Sequence, residues 1–201
     1  ILKIEHVSKH YPGVIALNDV SFEIKRGEVH ALCGENGAGK STLIKCIMGV
    51  EYHDQGSILM DDKGAWVENG SAVEAQGRGV FANYQSVTIA PDLSIAENYF
   101  IGRQPKKNGL VDWGRMAQRS QEIIDKFDMK VDPRAKIREL SLAMQAMVTI
   151  SKISVNDDIR VVILDEPTAL LENDKVETLF RFIRELKARG VADIYIACMD
   201  G

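Results

Sequence analysis

Residues 34–41 read Gly-Glu-Asn-Gly-Ala-Gly-Lys-Ser and fit the pattern G-x-x-x-x-G-K-[ST]. Glycines let the backbone turn its N–H groups inward as a nest for anions. The lysine can then reach the β- and γ-phosphates of a nucleotide, and the serine hydroxyl can ligate Mg²⁺. The alternative is a glycine turn without a ligand, but a strand before the loop and a helix after it favour phosphate binding. The predicted nucleotide-binding residues are Gly34, Glu35, Asn36, Gly37, Ala38, Gly39, Lys40, Ser41 and Thr42.

Two carboxylates follow a run of four apolar residues at 161–164. A buried strand ending there would deliver Asp165 to the carboxyl edge of a sheet, where ligands bind in open α/β folds. An aspartate at that edge can hold Mg²⁺, and Glu166 can accept a proton from an attacking water. Taken alone, the pair could equally be two solvated charges that end a strand. The phosphate loop upstream favours the catalytic interpretation, because it needs such a partner.

The elements that must position these motifs alternate between strands and helices. Residues 1–7 and 20–24 alternate apolar and polar side chains, which predicts two half-buried antiparallel strands. Apolar runs at 29–33, 80–82 and 161–164 predict buried strands of the parallel type, and residues 194–198 are a further strand candidate. Helices are predicted at 41–49, after an N-cap at Asp112, and from a capping box at Asp174 to Gly190. The pattern predicts an α/β fold: a P-loop NTPase core with an antiparallel β subdomain and a helical insert at about 86–150.

The composition limits the classes of protein to consider. With 45% hydrophobic and 27% charged residues among 201, the chain is neither disordered nor collagen-like. Its net charge of −4 argues weakly against nucleic acid or anionic lipid as the bulk partner, and it does not exclude a local basic site. The 3 cysteines form no CxxC motif, which is typical of a reducing compartment. No apolar run approaches the roughly 18 residues that cross a bilayer, and because the chain begins at Ile1 we expect it to be part of a longer polypeptide.

The phosphate loop, residues 164–168 (Leu-Asp-Glu-Pro-Thr) and the pair Leu140-Ser141 together resemble the motifs of the ATP-binding cassette family of transport ATPases. The three motifs occur in that family's order, and the resemblance runs from the first strand to about Ala197. Further segments that resemble the monosaccharide importers lie at 11–17, 102–105 and 132–134. In those importers two cassettes are fused in one polypeptide. The resemblance implies that residues 1–201 form a single nucleotide-binding cassette, the first of such a pair.

The resemblance also implies roles for residues outside the phosphate loop. Tyr11 falls at the aromatic that stacks on adenine, although a strand-end aromatic that fills a gap is the alternative. Gln85 falls at the glutamine that touches Mg²⁺ and the nucleophilic water, in a loop that contacts the membrane subunit. Ser141 and Ala143 lie in the signature segment that meets the γ-phosphate held by the opposite cassette, although Ser141 could be an ordinary helix N-cap. Ala143 and Met144 stand where the family more often has glycine and glutamine.

One residue of the family pattern is missing. The family has a switch histidine just after the last strand, where this chain has Cys198. All 4 histidines lie early, the last of them at position 53. A thiol is a weak hydrogen-bond donor and is normally neutral at pH 7, so the simpler interpretation of Cys198 is a buried residue at the end of a strand.

The resemblance implies a subunit that binds Mg-ATP, pairs head-to-tail with a second cassette and hydrolyses ATP to drive sugar import. It would work with transmembrane permease subunits and, indirectly, a sugar-binding protein, peripherally at the cytoplasmic face of the inner or cell membrane and without nucleic acid. Glu166, Lys40 and Gln85 would be catalytic, and Ser41, Gln85 and Asp165 would hold the metal.

The alternatives are a degenerate or regulatory cassette with little hydrolysis, favoured by the missing histidine, and a soluble cassette ATPase of translation or DNA repair. A generic P-loop kinase is disfavoured by the signature segment.

Overall fold

The polypeptide folds into two compact units. The computed structural model describes residues 1–62, 64–68, 70–83, 89–156, 158–165, 173–188 and 194–197. The core unit comprises residues 1–84, 158–166 and 183–201, and the insert unit comprises residues 85–157 and 167–182. Within the described residues, no helix is both long enough and apolar enough to cross a membrane.

Strands and helices alternate along the chain, as the α/β prediction requires. The strands are β1 (Leu2–Tyr11), β2 (Val14–Ile24), β3 (Val29–Leu32), β4 (Gln55–Asp62), β5 (Ala65–Glu68), β6 (Val80–Asn83), β7 (Lys106–Lys107), β8 (Leu110–Val111), β9 (Val161–Asp165) and β10 (Ile194–Ala197). The helices are α1 (Lys40–Ile47), α2 (Ala72–Gly77), α3 (Ile95–Tyr99), α4 (Trp113–Lys126), α5 (Leu142–Ser151) and α6 (Asn173–Ala188). Short 3₁₀ helices lie at Ile137–Glu139 and Lys152–Val155.

The first sheet of the core unit is antiparallel, with the strand order β2-β1-β4-β5. Leu2 of β1 lies opposite Ile24 of β2 and Met60 of β4, and these three side chains are fully buried. The alternation of apolar and polar residues therefore places one face of this sheet in the core. The prediction of antiparallel strands at 1–7 and 20–24 is confirmed, although both strands extend further than the alternation indicated.

The second sheet of the core unit is parallel, with the order β3-β10-β9-β6. Its strands are the three that the apolar runs predict and the further candidate at 194–198. Residues 161–164 of β9 are almost completely buried, because a strand with neighbours on both edges and elements on both faces has no contact with water. Since all four strands run the same way, their carboxyl ends lie at one edge, where the phosphate loop follows β3.

The insert unit is mainly helical. Asp112 caps α4, its side chain accepting a hydrogen bond from the backbone N–H of Arg115 at 2.9 Å. Met116, Ile123 and Ile124 of that helix are buried, so the predicted N-cap and apolar face of α4 are confirmed. The side chains of the helices pack into a separate small core, in which the rings of Phe127 and Phe182 lie 4.5 Å apart between centroids.

The sequence analysis missed several short elements. Strands β4 and β5 form a hairpin, and β7 and β8 form a second one within the insert, where few strand signals were found. Asn108 and Gly109, which join β7 to β8, both adopt positive φ angles of 53° and 83°, as a two-residue hairpin turn requires. At α6 the prediction was shifted, because the helix begins at Asn173, before the predicted cap Asp174, and ends at Ala188.

Candidate nucleotide-binding site

Two glycines shape the loop between β3 and α1. Gly37 and Gly39 have φ angles of 85° and 88°, a region that side chains with a Cβ rarely adopt. A Cβ atom at Gly39 would also overlap the backbone carbonyl oxygen of Ala16 in β2. The glycine pattern therefore reflects two physical needs: left-handed backbone at both positions, and close approach of the loop to the antiparallel sheet at the second.

Helix α1 presents its N-terminus at the end of this loop. Gly39 is the N-cap residue, and within the described chain no side chain caps the helix and no acidic residue lies in its first turn. Leu43, Ile44 and Ile47 are buried, and each contributes about 1.5–3 kcal/mol of transfer free energy. These apolar residues anchor the helix in the core, so that its N–H groups and positive dipole end face the loop.

Lys40 and Ser41 occupy the positions that phosphate chemistry needs. The Lys40 Nζ atom donates to the backbone carbonyl of Gly34 and, at 3.0 Å, to that of Glu35. The ammonium group thus folds back over the loop. Ser41 is exposed in the first turn of α1, so its hydroxyl is available to a metal ion. The structure brings the loop residues together as predicted from the motif.

Asp165 ends strand β9 at the same edge of the parallel sheet as the loop. It lies in register with Ala197 of β10, which pairs with Leu32 at the end of β3. Because neighbouring strands are about 4.8 Å apart, the backbone of Asp165 is about 10 Å from that of Leu32. Ala197 lies between the two, so the ends of these three strands are neighbours at one edge of the sheet. Hydroxyl and carboxylate oxygens are donors that suit Mg²⁺.

Three predicted functional residues lie outside the described part of the chain. They are Glu166, Gln85 and Cys198. Their proposed roles depend on the resemblance and on the sequence, and they stay predictions. Strands β9, β6 and β10 end close to them in sequence, at Asp165, Asn83 and Ala197 respectively.

Tyr11 is the last residue of β1 and is 38% exposed. The Lys9 Nζ atom lies 5.3 Å from the centroid of its ring. The exposed side chains of Val14 and Ile15 follow in β2, directly before Ala16, which touches the phosphate loop. The sequence analysis did not assign Val14 and Ile15 to the site, because their exposure and the approach of Ala16 to the loop are tertiary features.

The signature segment begins helix α5 in the insert unit. Ser141 is its N-cap, and its Oγ atom accepts a hydrogen bond from the backbone N–H of Met144 at 3.3 Å. The side chain of Gln145 donates to the carbonyl of Leu140 at 3.0 Å. Ser141 is therefore a helix N-cap, which was the alternative interpretation of this residue. Ser141 is also exposed and Ala143 half-buried, and their contact with a second cassette stays a prediction.

The fold and the loop together define a P-loop nucleotide-binding cassette. Solved structures with the same fold include a nucleotide-free ATP-binding cassette from an ABC transporter, with a TM-score of 0.83 and 24% identity, covering 99% of this chain and 81% of that one. A dimeric post-hydrolysis state of an ATP-binding cassette bound to ADP and Pi has a TM-score of 0.83 at 21% identity, covering 100% of this chain and 88% of that one. At these identities the likeness shows the fold.

The chain belongs to the ABC transporter family, whose pattern matches residues 17–169. It is 45% identical over 197 residues to a ribose import ATP-binding protein, RbsA 1, of Rubrobacter xylanophilus, covering 98% of this chain and 39% of that protein. It is 42% identical over 196 residues to the galactofuranose transporter ATP-binding protein YtfR of Escherichia coli O157:H7, with coverages of 98% and 39%. The chain thus spans about two fifths of the length of these curated relatives.

Proposed function

We propose that this chain is an ATP-binding cassette that hydrolyses ATP to energise the import of a sugar. The observation that carries the proposal is the geometry where the phosphate loop meets α1. Gly37 and Gly39 have left-handed backbone, the Lys40 side chain folds over the loop, and α1 begins without a side-chain cap. This arrangement can hold the β- and γ-phosphates of ATP. The names of the relatives support sugar import.

The reaction that we propose is transfer of the γ-phosphoryl group to water. Lys40 would stabilise the charge on the phosphate oxygens, and Glu166 would accept the proton of the attacking water. Ser41, Asp165 and Gln85 would hold Mg²⁺, which when bound neutralises charge on the β- and γ-phosphates. The exposed Ser41 hydroxyl and the position of Asp165 at the sheet edge support this donor set.

The adenine would lie against Tyr11. The exposed Val14 and Ile15 extend its apolar surface toward Ala16 and the loop. A flat ring stacked on an aromatic side chain and bordered by apolar side chains is stabilised by dispersion and by removal of apolar surface from water. The approach of β2 to Gly39 connects this base-binding surface to the phosphate site.

The partners of the chain are part of the proposal. We infer a head-to-tail pair with a second cassette, fused or separate, in which Ser141 and Ala143 of one cassette meet the γ-phosphate of the other. Transmembrane permease subunits would hold the pair peripherally at the cytoplasmic face of the membrane, and a sugar-binding protein would act on the opposite side. Residues 1–201 would then be one cassette of a longer chain, with a helical subdomain at about 86–150.

A second candidate is a cassette that binds ATP with little hydrolysis. The observation that favours it is Cys198 in the place of the family's switch histidine. The retained pair of carboxylates at 165 and 166 favours hydrolysis. Both candidate functions predict ATP binding, but they predict different rates of ATP hydrolysis.

ATP binding is tested with Lys40→Ala. A charge-assisted contact to phosphate is worth about 1.5–3 kcal/mol, so we expect about 10- to 100-fold weaker binding of Mg-ATP by isothermal titration. The matched control is Lys45→Ala, which removes an exposed lysine from the same helix and should leave affinity unchanged. Equal affinity of Lys40→Ala and the parent chain would show that the loop is not the phosphate site.

A further inference from the structure

The insert unit contains one strongly basic segment in an acidic chain. Residues 101–119, here called the basic segment, hold five basic side chains and one acidic one, a net charge of +4, whereas the whole chain carries −4. The residues outside the segment therefore carry a net charge of −8. The basic residues of the segment are Arg103, Lys106, Lys107, Arg115 and Arg119. Such a local reversal of charge is typical of a surface that meets an anionic partner.

The tip of the basic segment is a short hairpin of two-residue strands. Lys106 pairs with Val111 and Lys107 with Leu110, so each lysine lies directly across from an apolar residue. The Asn-Gly turn between the strands matches the hairpin twist, and the backbone N–H of Asp112 donates to the carbonyl of Pro105 at 2.8 Å. Because successive residues of a strand point to opposite faces, Lys106 shares one face of the hairpin with Val111 and Lys107 shares the other with Leu110.

Large apolar side chains are exposed beside these cations. Leu110 is 77% exposed and Trp113 is 59% exposed, and Ile101 is also exposed. Tryptophan and leucine beside lysines are the residues with which peripheral proteins enter the headgroup region of a bilayer, because the apolar groups reach the acyl boundary while the cations stay with the phosphates.

Two acidic side chains next to Trp113, Asp112 and Glu97, make local hydrogen bonds and keep their negative charge. The Asp112 side chain caps α4. Glu97, which lines a shallow groove with Trp113 and Arg134, accepts hydrogen bonds from the Ser94 hydroxyl and backbone N–H at 2.6 and 2.8 Å, and these bonds lower the pKa of its carboxyl. Within the described part of the chain, Lys106 and Lys107 form no ion pair. Their charge is thus directed to solvent.

We propose that the basic segment docks on an anionic lipid surface, with Lys106 and Lys107 at the headgroup phosphates and Leu110 and Trp113 at the acyl boundary. The proposal extends the proposed function, since a cassette of an importer works beside a membrane. It assigns the insert unit a direct contact with lipid, in addition to any contact with permease subunits. The charge of the segment favours a lipid surface that is negative over one that is zwitterionic.

The two tryptophans of the chain allow a direct test. Trp66→Phe leaves Trp113 as the only tryptophan, and its fluorescence should shift to the blue on addition of phosphatidylcholine vesicles that contain phosphatidylglycerol. Pure phosphatidylcholine vesicles should give no shift, and high salt should reverse it. The matched control is Trp113→Phe, which leaves Trp66, 45% exposed in β5 of the core unit, and should report no shift.

The contribution of the lysines is measured by vesicle co-sedimentation. Replacing Lys106 and Lys107 by Gln should weaken partitioning by about 25-fold, because each lysine near an anionic surface contributes about fivefold. The control replaces Lys130 and Lys187, two exposed lysines outside the basic segment, by Gln, with the same change in net charge. It should bind vesicles nearly as the parent does.

The proposal would be overturned by the absence of a Trp113 shift with anionic vesicles or by an equal shift with zwitterionic ones. Equal losses of vesicle binding in the two double-lysine variants would also overturn it. If the Lys106/Lys107 variant bound vesicles normally but lost capture by detergent-solubilised permease, the surface would bind protein and the lipid assignment would be wrong. Titration with Mg-ATP separates this outcome from failure of the proposed function, because both lysine variants should bind ATP like the parent. A parent chain that binds no ATP would refute the proposed function alone.

Discussion

The geometry of Gly39 leads to a quantitative prediction about the phosphate loop. Alanine at this position must adopt a φ angle of 88°, which costs about 1–2 kcal/mol for a residue with a Cβ. The added Cβ must also displace the carbonyl oxygen of Ala16, and relief of such an overlap by backbone movement typically costs 1–3 kcal/mol more. We therefore expect Gly39→Ala to lower the free energy of unfolding by about 2–5 kcal/mol.

Two other glycines separate these contributions. Gly64 has a φ angle of 92° and Gly37 one of 85°, and a Cβ on either would meet nothing within 4 Å. Urea denaturation should show a loss of about 1–2 kcal/mol for Gly64→Ala and for Gly37→Ala, and a larger loss for Gly39→Ala. Mg-ATP affinity should fall for the two loop variants and not for Gly64→Ala. If Gly39→Ala were no less stable than Gly64→Ala and bound ATP like the parent, the reasoning would be wrong. The close approach of the loop to β2 would then contribute neither to stability nor to nucleotide binding.

The remaining predictions concern chemistry at the site. Glu166→Gln should lower turnover by about 10²–10⁴ while ATP binding persists, and unchanged turnover would place the general base elsewhere. Cys33 is exposed directly before the loop, whereas burial raises the pKa of the Cys46 thiol to about 11. Mg-ATP bound at the loop should therefore slow the alkylation of Cys33, measured by peptide-resolved mass spectrometry. Cys46 should stay unreactive with and without nucleotide. The parent chain should hydrolyse ATP with a kcat below a typical enzyme rate of about 1–10 per second. Cys198→His should raise kcat by a larger factor than it changes the Kd for nucleotide. Equal kcat for the two forms would mean that Cys198 does not stand in for a switch residue.

The sequence was sufficient to predict the class of fold because its strongest signals are local. The apolar run at 161–164 has no polar interruption and becomes a fully buried strand, and the alternation at 1–7 becomes a half-buried one. The strands at 106–107 and 110–111 are too short for any periodicity, and only the Asn-Gly turn could have indicated them. Strand β4 was also missed, although its residues Ile58 and Met60 alternate onto the buried face.

The site was predicted in part for the same reason. The phosphate loop is a contiguous motif, so its residues are close together in any fold that forms it. The exposure of Val14 and Ile15 depends on the pairing of β1 with β2 and on the approach of Ala16 to Gly39, which are contacts between distant positions. The basic segment is visible in the sequence as a charge reversal, but the placement of its lysines across from Leu110 and Val111 requires the hairpin register.

Helix caps give a physical argument for the proposal that the phosphate loop binds nucleotide. Side chains of Ser71, Ser94, Asp112 and Ser141 cap α2, α3, α4 and α5, and such caps are typically worth about 1 kcal/mol each. Helix α1 begins at a glycine with no side-chain cap, so its first N–H groups gain that stabilisation from phosphate oxygens when nucleotide binds. A ligand that binds only the folded chain stabilises it by RT ln(1 + [L]/Kd). Among α1 to α5, the helix start without a side-chain cap is thus the one at which ATP would act as the cap. Nucleotide binding would then stabilise the core unit.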